Sequence, residues 1–228
     1  MTSPKTGSDA SHTCRLYLIT PPSILDLQTF GECLKKALDT GETLTAAVQV
    51  RLKETDDEAI QRTVEHLLPI VQSRHIALIL NDRPDLAHAT GCDGVHIGQS
   101  DASYTEARSL VGPDRIVGMT CHDSRHFGID AAEKGVDYVA FGSFYPTRTK
   151  EVSSTASVDL LSWWQGMMTT PCVAIGGITP KNVRPIAEAG ADFLAICSGI
   201  WEWEEGPEHA VKRLSEELES VERTNWTS

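Results

Sequence analysis

Short runs of apolar residues alternate with longer amphipathic stretches about eight times along this chain of 228 residues. The apolar runs cover residues 16–20, 46–51, 76–80, 94–97, 116–119, 138–141, 173–175 and 193–196. Several, such as IALIL and YVAF, are almost wholly apolar, which is typical of strands buried on both faces of a parallel sheet. The alternation therefore predicts an α/β fold built from consecutive βα units.

The intervening stretches carry helical periodicity. In residues 57–71 apolar side chains recur at helical spacing, and we expect Pro69 to kink this helix or end it early. A later helix is expected to open at Pro180 and to end near Gly190. Weaker patterns cover residues 124–134, 157–168 and 208–221. Eight units favour one closed (β/α)₈ TIM barrel, although periodicity alone leaves a doubly wound sheet open.

Composition supports one globular domain, which we place at residues 14–222. Residues 1–13 and 223–228 lack periodicity and are expected to be disordered. The formal net charge of −12 argues against nucleic-acid or membrane partners, because both require a basic surface. The sequence leaves open whether the chain forms a homo-oligomer, and LSWW at residues 161–164 is a weak candidate for a subunit contact.

Cysteine usage and the chain start bear on the compartment. The six cysteines form no CxxC pair, which is typical of unpaired thiols in a reducing compartment. The polar start MTSPKTGSDASHT lacks the apolar stretch of a secretory signal, and no apolar run approaches the ~20 residues of a membrane helix. We therefore expect a cytoplasmic location.

Polar and glycine residues follow nearly every predicted strand, where the chemistry of such a barrel lies. They are Gln49 and Arg51 at the end of the second strand with Lys53 beyond it, Asn81 and Asp82 after the third, Gly98, Gln99, Ser100 and Asp101 after the fourth, Thr120, Cys121 and His122 after the fifth, Gly142, Ser143 and residues 146–150 after the sixth, Gly176 and Gly177 after the seventh, and Ser198 and Gly199 after the eighth. Their repetition indicates one shared site.

Two kinds of anion site are indicated. Gly176 and Gly177 directly precede an expected helix start, and Ser198 could open another, so both places favour a phosphate group, as do the hydroxyls of Thr147 and Thr149. The cations and carboxylates after other strands suit Mg²⁺ with a polyphosphate: Arg51, Lys53 and Lys150, with Asp82 and Asp101. Ordinary turn glycines, and ion pairs between Arg51 and Asp82 or Lys53 and Asp101, are the structural alternatives.

Histidines and cysteines are less informative. His96 lies inside the fourth predicted strand and is interpreted as a core or hydrogen-bonded histidine. His122 follows the fifth strand and could reach the site. Cys172 and Cys197 lie at strand edges, where a small buried apolar role is the better interpretation.

The combined motifs resemble the thiamine-phosphate synthase family, also known as thiamine-phosphate pyrophosphorylase. They are VQVRLK, ILNDRPDLAHATGCDGVHIGQSD, GVDYVAFGSFYPTRTK, VAIGGITPKNV and GADFLAICSGI, and the resemblance runs from LYLIT at residue 16 to SGI at residue 198. It implies a (β/α)₈ barrel that joins hydroxymethylpyrimidine diphosphate to thiazole phosphate, with or without a carboxyl group on the thiazole. The implied products are thiamine monophosphate and pyrophosphate, formed through a step in which the pyrimidine takes on the character of a carbocation.

The resemblance also implies site residues. The pyrimidine diphosphate would be held by Gln49, Arg51, Lys53, Asn81, Thr120 and Lys150, and of these Arg51, Lys53, Thr120 and Lys150 would act in catalysis. Mg²⁺ would be carried by Asp82 and Asp101. The thiazole phosphate would be received by Thr147, Thr149, Gly177, Cys197 and Ser198. Thr120 stands where the family usually has a serine. A thiazole tautomerase relative and a non-catalytic thiazole-phosphate sensor are the rivals, and the two aspartates with the PTRTK loop favour the synthase.

Overall fold

A computed structural model describes residues 14–41, 43–147 and 155–221. Eight parallel strands form one closed barrel in sequence order, so the predicted fold is confirmed. The strands are β1 (Arg15–Ile19), β2 (Thr45–Val50), β3 (Ala77–Asn81), β4 (Gly94–Ile97), β5 (Ile116–His122), β6 (Tyr138–Phe141), β7 (Cys172–Ile175) and β8 (Phe193–Ile196). The barrel closes where β1 pairs with β8, from Arg15 opposite Phe193 to Leu18 opposite Ile196.

Helices cover the outside of the barrel. They are α1 (Leu27–Thr40), α2 (Asp57–Gln72), α3 (Pro84–Thr90), α4 (Tyr104–Val111), α5 (Arg125–Lys134), α6 (Val158–Met167), α7 (Arg184–Glu188), α8 (Ser198–Trp201) and α9 (Pro207–Glu219). Side-chain caps begin several of them; Ser103, for example, forms a capping box with Glu106 at the start of α4. Within the described ranges, no helix has the length and apolar character needed to cross a membrane.

The helix predicted over residues 57–71 is confirmed without an early end at Pro69, whereas the expected start of a later helix at Pro180 is wrong. Helix α2 continues past Pro69 to Gln72, because the exposed proline costs one backbone hydrogen bond while Ile70 and Val71 pack into the core beside it. Helix α7 begins at Arg184 instead of Pro180. The residues between form a turn in which the Thr179 amide donates to Asn182 Oδ1 at 2.8 Å.

Two of the four residues in the candidate subunit contact at residues 161–164 are used inside the chain. Leu161 and Trp164 are fully buried within the chain, and the Trp164 indole nitrogen donates to the Thr170 carbonyl at 2.8 Å. Trp163 is half-buried, with the Arg125 guanidinium 4.5 Å from its ring centroid. The aromatic residues of α6 therefore pack within this chain.

Side chains alternate between two apolar layers, as the period of a strand requires. Leu16 and Leu18 of β1 belong to the outer layer between strands and helices, whereas Tyr17 and Ile19 belong to the inner layer inside the barrel. Tyr138 and Ala140 of β6 also point into the barrel. A polar residue at an inward-facing position near the carboxyl end of a strand thus faces the barrel mouth.

A repeated Gly-x-Asp segment holds the opposite end of the barrel. Each aspartate accepts a hydrogen bond from an amide near the start of the preceding strand: Asp93 from Leu78 at 2.7 Å, Asp137 from Val117 at 2.7 Å and Asp192 from Cys172 at 2.8 Å. The glycine two residues earlier has a positive φ and lets the chain turn out of the helix before it. These carboxylates therefore serve the stability of the barrel.

Replacing Gly118 with alanine should destabilise the barrel. A Cβ at this position of β5 would lie 1.9 Å from Cζ of the Tyr138 ring, so the ring inside the barrel would have to shift. Overpacking of this kind costs about 1–3 kcal/mol of the free energy of unfolding. Urea denaturation would measure it.

Gly166→Ala provides the matched control. Gly166 lies in α6, and apart from its chain neighbours and the backbone of its own helix no atom lies within 4 Å of the place that a Cβ would occupy. Alanine should therefore leave stability unchanged or raise it by ~0.5–1 kcal/mol. Equal unfolding midpoints for Gly118→Ala and the wild type would contradict the packing argument.

Candidate active site

A cavity of about 490 Å³ opens at the carboxyl ends of the strands. This volume is within the range of small-molecule sites. Its lining combines residues from all sides of the barrel mouth: Ile19, Pro22, Gln49, Arg51, Asn81, Asp82, His96, Gly98, Gln99, Ser100, Asp101, Thr120, His122, Gly142, Ser143, Thr147, Ile175, Gly176, Gly177, Ile178, Ala195, Ile196, Cys197 and Ser198. Most of the residues predicted from strand ends therefore meet in one place.

Carboxylates and an amide form one wall, at the ends of β3 and β4. Asn81, Asp82 and Asp101 line the cavity there. Asp82 has a left-handed backbone with φ 64°, held by its amide donating to the His96 carbonyl at 2.8 Å. Asp101 Oδ2 accepts from the Gly98 amide at 2.7 Å. Both carboxylates are exposed to solvent, so a cation can reach them.

These two aspartates suit a magnesium ion that binds protein and substrate together. Across the described ranges, no group of three or more His, Cys, Asp or Glu side chains lies close enough to hold a metal. Mg²⁺ commonly takes one or two carboxylates and completes its shell with water and substrate phosphate oxygens. Asp82 and Asp101 suit such a shared site rather than a site made wholly of protein ligands.

The basic residues lie beside this wall at the end of β2. Arg51 is half-buried and lines the cavity, and its amide donates to Thr20 Oγ1 at 3.0 Å. Lys53 is exposed, its amide donates to the Pro22 carbonyl at 3.0 Å, and it is not among the residues that line the cavity. Thr149 and Lys150 lie outside the described residues.

Hydroxyls and backbone form the opposite wall. Thr147, Gly177, Cys197 and Ser198 line it, so four of the five residues predicted for a phosphate lie together. The expected helix start directly behind Gly177 is wrong, because α7 begins only at Arg184. Helix α8 does begin at Ser198, as expected, although it spans only four residues.

The paired glycines are required by the neighbouring loop. Gly176 and Gly177 have φ values of 107° and 63°. A Cβ on Gly176 would lie 2.1 Å from Ser143 Oγ, and one on Gly177 would lie 2.5 Å from the Pro146 carbonyl oxygen. The glycines thus let the loop after β6 pack against the loop after β7, which forms this wall.

Cys197 contributes an uncharged thiol to the wall. Burial raises the pKa of this thiol to about 11, although the Arg51 guanidinium acts in the opposite direction. Its Sγ donates to the Thr20 carbonyl at 3.4 Å. The thiol is therefore neutral at pH 7. The interpretation as a small buried residue is confirmed for Cys172 but not for Cys197, which is half-buried and lines the cavity.

A chain of hydrogen bonds forms the floor of the cavity. Gln49 Nε2 donates to Tyr17 OH at 3.2 Å, and Tyr17 OH bonds Tyr138 OH at 2.8 Å. Tyr138 OH bonds His96 Nδ1 at 2.9 Å, and His96 Nε2 bonds Thr120 Oγ1 at 2.8 Å. The interpretation of His96 as a buried, hydrogen-bonded histidine is confirmed, and its ring also lines the cavity.

Sequence analysis missed the two tyrosines of this floor. Tyr17 and Tyr138 occupy inward positions of otherwise apolar strands. A buried phenol requires a hydrogen-bond partner, so a tyrosine at such a position is the signal that could have identified them. They belong to the site as support for Gln49, His96 and Thr120.

The end of β5 differs from the prediction. The strand continues to His122, three residues beyond the expected end at Met119, so Thr120 and His122 are strand residues. A bulge between them shifts the register against β6, and His122 has a φ of 53°. Both side chains line the cavity, as expected for residues at the mouth.

The walls and floor together suit two anionic ligands side by side. One wall offers a guanidinium and two carboxylates, the other offers hydroxyls and backbone, and the floor is polar. Such an arrangement can bind a charged leaving group and position a second molecule against it.

Comparison with known proteins gives a consistent result. Residues 16–200 match the thiamine monophosphate synthase family. The thiamine-phosphate synthase of Rhodospirillum centenum is 60% identical over 198 residues, covering 87% of this chain and 94% of the relative. That of Hyphomonas neptunium is 45% identical, covering 91% of this chain and 95% of the relative.

Solved structures agree with the sequence match. The thiamine phosphate pyrophosphorylase of Pyrococcus furiosus superposes with a TM-score of 0.78 at 28% identity, covering 91% of this chain and 96% of that chain. Family match, close relatives and fold all lead to one conclusion: this chain belongs to the thiamine monophosphate synthase family.

Proposed function

We propose that this chain is a thiamine-phosphate synthase, an alkyl transferase that joins hydroxymethylpyrimidine diphosphate to thiazole phosphate. The observation that carries the proposal is the single cavity in which Arg51, Asp82 and Asp101 lie on one side and Thr147 and Ser198 on the other. One wall suits a diphosphate with a divalent cation, and the other suits a monophosphate. The high identity to named synthases supports the same activity.

The pyrimidine diphosphate occupies the side formed by β2 to β5. Gln49 and Asn81 offer amides to the ring, while Arg51 neutralises the diphosphate. Lys53 and Lys150 add positive charge, Lys53 from its exposed position beside the mouth, and Thr120 offers its hydroxyl near the leaving group. These assignments follow the family motifs, and the positions of Gln49, Arg51, Asn81 and Thr120 around the cavity support them.

The thiazole phosphate occupies the other side. Thr147 and Thr149 donate hydroxyl hydrogen bonds to its phosphate, and the backbone at Gly177 and Ser198 adds amide donors. Cys197 supplies a neutral, half-buried surface in the same wall. Anchoring the phosphate here holds the thiazole nitrogen toward the pyrimidine and converts an encounter of two molecules into a positioned reaction.

The proposed reaction needs stabilisation of the charge on the leaving group more than it needs a general base. The bond between the pyrimidine methylene carbon and the diphosphate oxygen breaks, and its electron pair leaves with the diphosphate. The thiazole nitrogen then donates its lone pair to the same carbon, giving thiamine monophosphate and pyrophosphate. Arg51, Lys53 and Lys150 stabilise the charge that develops on the leaving group.

We further propose Mg²⁺ as the cofactor, held by Asp82 and Asp101. When bound, the ion would neutralise charge on the diphosphate. The support is the pair of solvent-accessible carboxylates from adjacent strands in the cavity that Arg51 also lines.

Purified protein with both substrates and Mg²⁺ should release pyrophosphate, because the transfer displaces it. Release should require both substrates and the metal, and should match the thiamine phosphate formed; an enzyme-coupled phosphate assay with chromatography measures both. Binding of thiazole phosphate without release would contradict the synthase proposal and favour a tautomerase or a sensor.

Asp101→Ala should nearly abolish turnover at ordinary Mg²⁺ concentrations, because it removes one of the two carboxylates offered to the ion. The loss of one stabilising group at a developing charge lowers kcat by about 100–1000-fold. A titration of rate against Mg²⁺ should show a rightward shift. Asp130→Ala, which removes only an ion pair with Lys134 on the surface of α5, is the control and should behave as wild type. Unchanged Mg²⁺ dependence in Asp101→Ala would refute the metal assignment.

Thr147→Val should raise KM for thiazole phosphate by about tenfold, the effect of losing one charge-assisted hydrogen bond, while KM for the pyrimidine diphosphate stays nearly constant. Steady-state kinetics with each substrate varied in turn would separate the two. Thr40→Val on α1, where the hydroxyl bonds only the Lys36 carbonyl, serves as the matched control. Equal increases in both KM values would contradict the layout with two separate subsites.

A further inference from the structure

The hydrogen-bonded floor connects two cavity residues that lie on different strands. It runs from Gln49 on β2 through Tyr17 on β1, Tyr138 on β6 and His96 on β4 to Thr120 on β5. Gln49, His96 and Thr120 line the cavity, whereas Tyr17 and Tyr138 are buried beneath it. Both ends of the chain can thus meet a ligand, and the middle is shielded from water.

Each link of this chain has a direction, and the directions are coupled. Each hydroxyl has one proton to donate, and a neutral imidazole has one donor and one acceptor nitrogen. When Gln49 Nε2 donates to Tyr17, Tyr17 is left to donate to Tyr138, and Tyr138 to His96 Nδ1. His96 Nε2 then carries the proton and donates to Thr120. The Thr120 hydroxyl proton is consequently available to the cavity.

The opposite direction satisfies the same five groups. A half-turn of the Gln49 amide presents Oε1 to Tyr17, since the terminal torsion of glutamine is broad and nearly two-fold. Tyr17 then donates to Gln49, Tyr138 to Tyr17, and His96 Nδ1 to Tyr138. Thr120 must donate to His96 Nε2, so it offers the cavity only a lone pair. The orientation of one amide therefore sets the role of a hydroxyl on another strand.

The tyrosines remain protonated links in both directions. Burial raises the pKa of Tyr17 and of Tyr138 above the ordinary value for a phenol. A tyrosinate would accept two hydrogen bonds and donate none, which would interrupt the directional order. Neutral phenols keep the order intact from one end to the other.

We propose that the pyrimidine ring, on binding at Gln49, selects the direction in which Thr120 donates a hydrogen bond to the departing diphosphate. The inference rests on the proposed function. In this proposal the ring's amino group donates to Gln49 Oε1, the only acceptor on that side chain, and Nε2 therefore stays turned toward Tyr17. Tyr17, Tyr138 and His96 are positioning residues, because the direction of their hydrogen bonds sets that of Thr120. Binding of the pyrimidine ring thus leaves the Thr120 hydroxyl proton available to the departing diphosphate.

The tautomer of His96 reports the direction. The probe is the alcohol 4-amino-2-methyl-5-hydroxymethylpyrimidine, which presents the ring but has no diphosphate to contact Thr120. Protein with nitrogen-15-labelled histidine is saturated with this alcohol, and the His96 signals are assigned by their loss in His96→Asn. We expect the neutral tautomer with the proton on Nε2. A bound state with the proton on Nδ1, or with both nitrogens protonated, would overturn the proposal.

Kinetics provide the second readout. Thr120→Val should lower kcat by about 100-fold in the wild type, because a donor to the leaving group is lost. In a Tyr17→Phe background Gln49 is no longer linked to Tyr138. There Thr120→Val should lower kcat by less than about tenfold, as expected for coupled residues. Tyr104→Phe removes a phenol that donates to the Gly135 carbonyl outside the barrel, and should keep the full Thr120→Val effect.

Two further results decide the case. An equal Thr120→Val effect in the wild-type and Tyr17→Phe backgrounds would overturn the coupling, and Tyr138→Phe interrupts the same chain if Tyr17→Phe does not fold. Wild-type protein that binds the alcohol but releases no pyrophosphate with both substrates would refute the proposed function instead. The tautomer of His96 in that protein would still test the direction of the chain.

Discussion

The closure of the barrel is the constraint on which the other features depend. Parallel pairing of β1 with both β2 and β8 brings the carboxyl ends of all eight strands into one ring. Residues far apart in sequence meet there; Tyr17 and Tyr138 are 121 positions apart, yet their hydroxyls lie 2.8 Å from each other. Strand alternation then decides which residues face the ring. A side chain that faces the barrel interior reaches the cavity only when it lies near the carboxyl end of its strand, which is why Gln49 and Thr120 line the cavity.

The barrel interior changes from apolar to polar along its axis. Ala140, Val173 and Ala195 belong to the inner apolar layer, and the tyrosines lie in the same layer with their hydroxyls in the chain from Gln49 to Thr120. Burying so many polar groups is costly unless each has a partner. Over the ranges that the structure describes, Thr45 Oγ1 is the single fully buried side-chain oxygen or nitrogen with no hydrogen bond. The floor is therefore well satisfied, because each of its hydroxyls and ring nitrogens has a hydrogen-bond partner within the chain from Gln49 to Thr120.

Aspartate serves opposite purposes at the two ends of the barrel. Asp93, Asp137 and Asp192 accept amide hydrogen bonds where strands begin, and so contribute to stability. Asp82 and Asp101 lie where strands end and line the cavity, where we propose that they hold a cation. This division agrees with the general behaviour of such barrels, in which the face at the carboxyl ends carries the chemistry.

The sequence alone predicted the positions of the eight strands and most of the cavity lining, because these follow from local alternation and from strand-end positions. It favoured a closed barrel by the number of βα units, but only the pairing of β1 with β8 establishes the closure. It left open whether α2 continues through Pro69, which packing against the core decides. It did not predict that α7 begins only at Arg184, after the turn closed by the hydrogen bond between Thr179 and Asn182. It placed Lys53 among the site residues, whereas the structure leaves that side chain exposed beside the mouth. The chain from Gln49 to Thr120 could be found only in three dimensions. Its members come from five strands, and no spacing along a sequence encodes which hydroxyl will meet which ring nitrogen across the inside of a closed barrel.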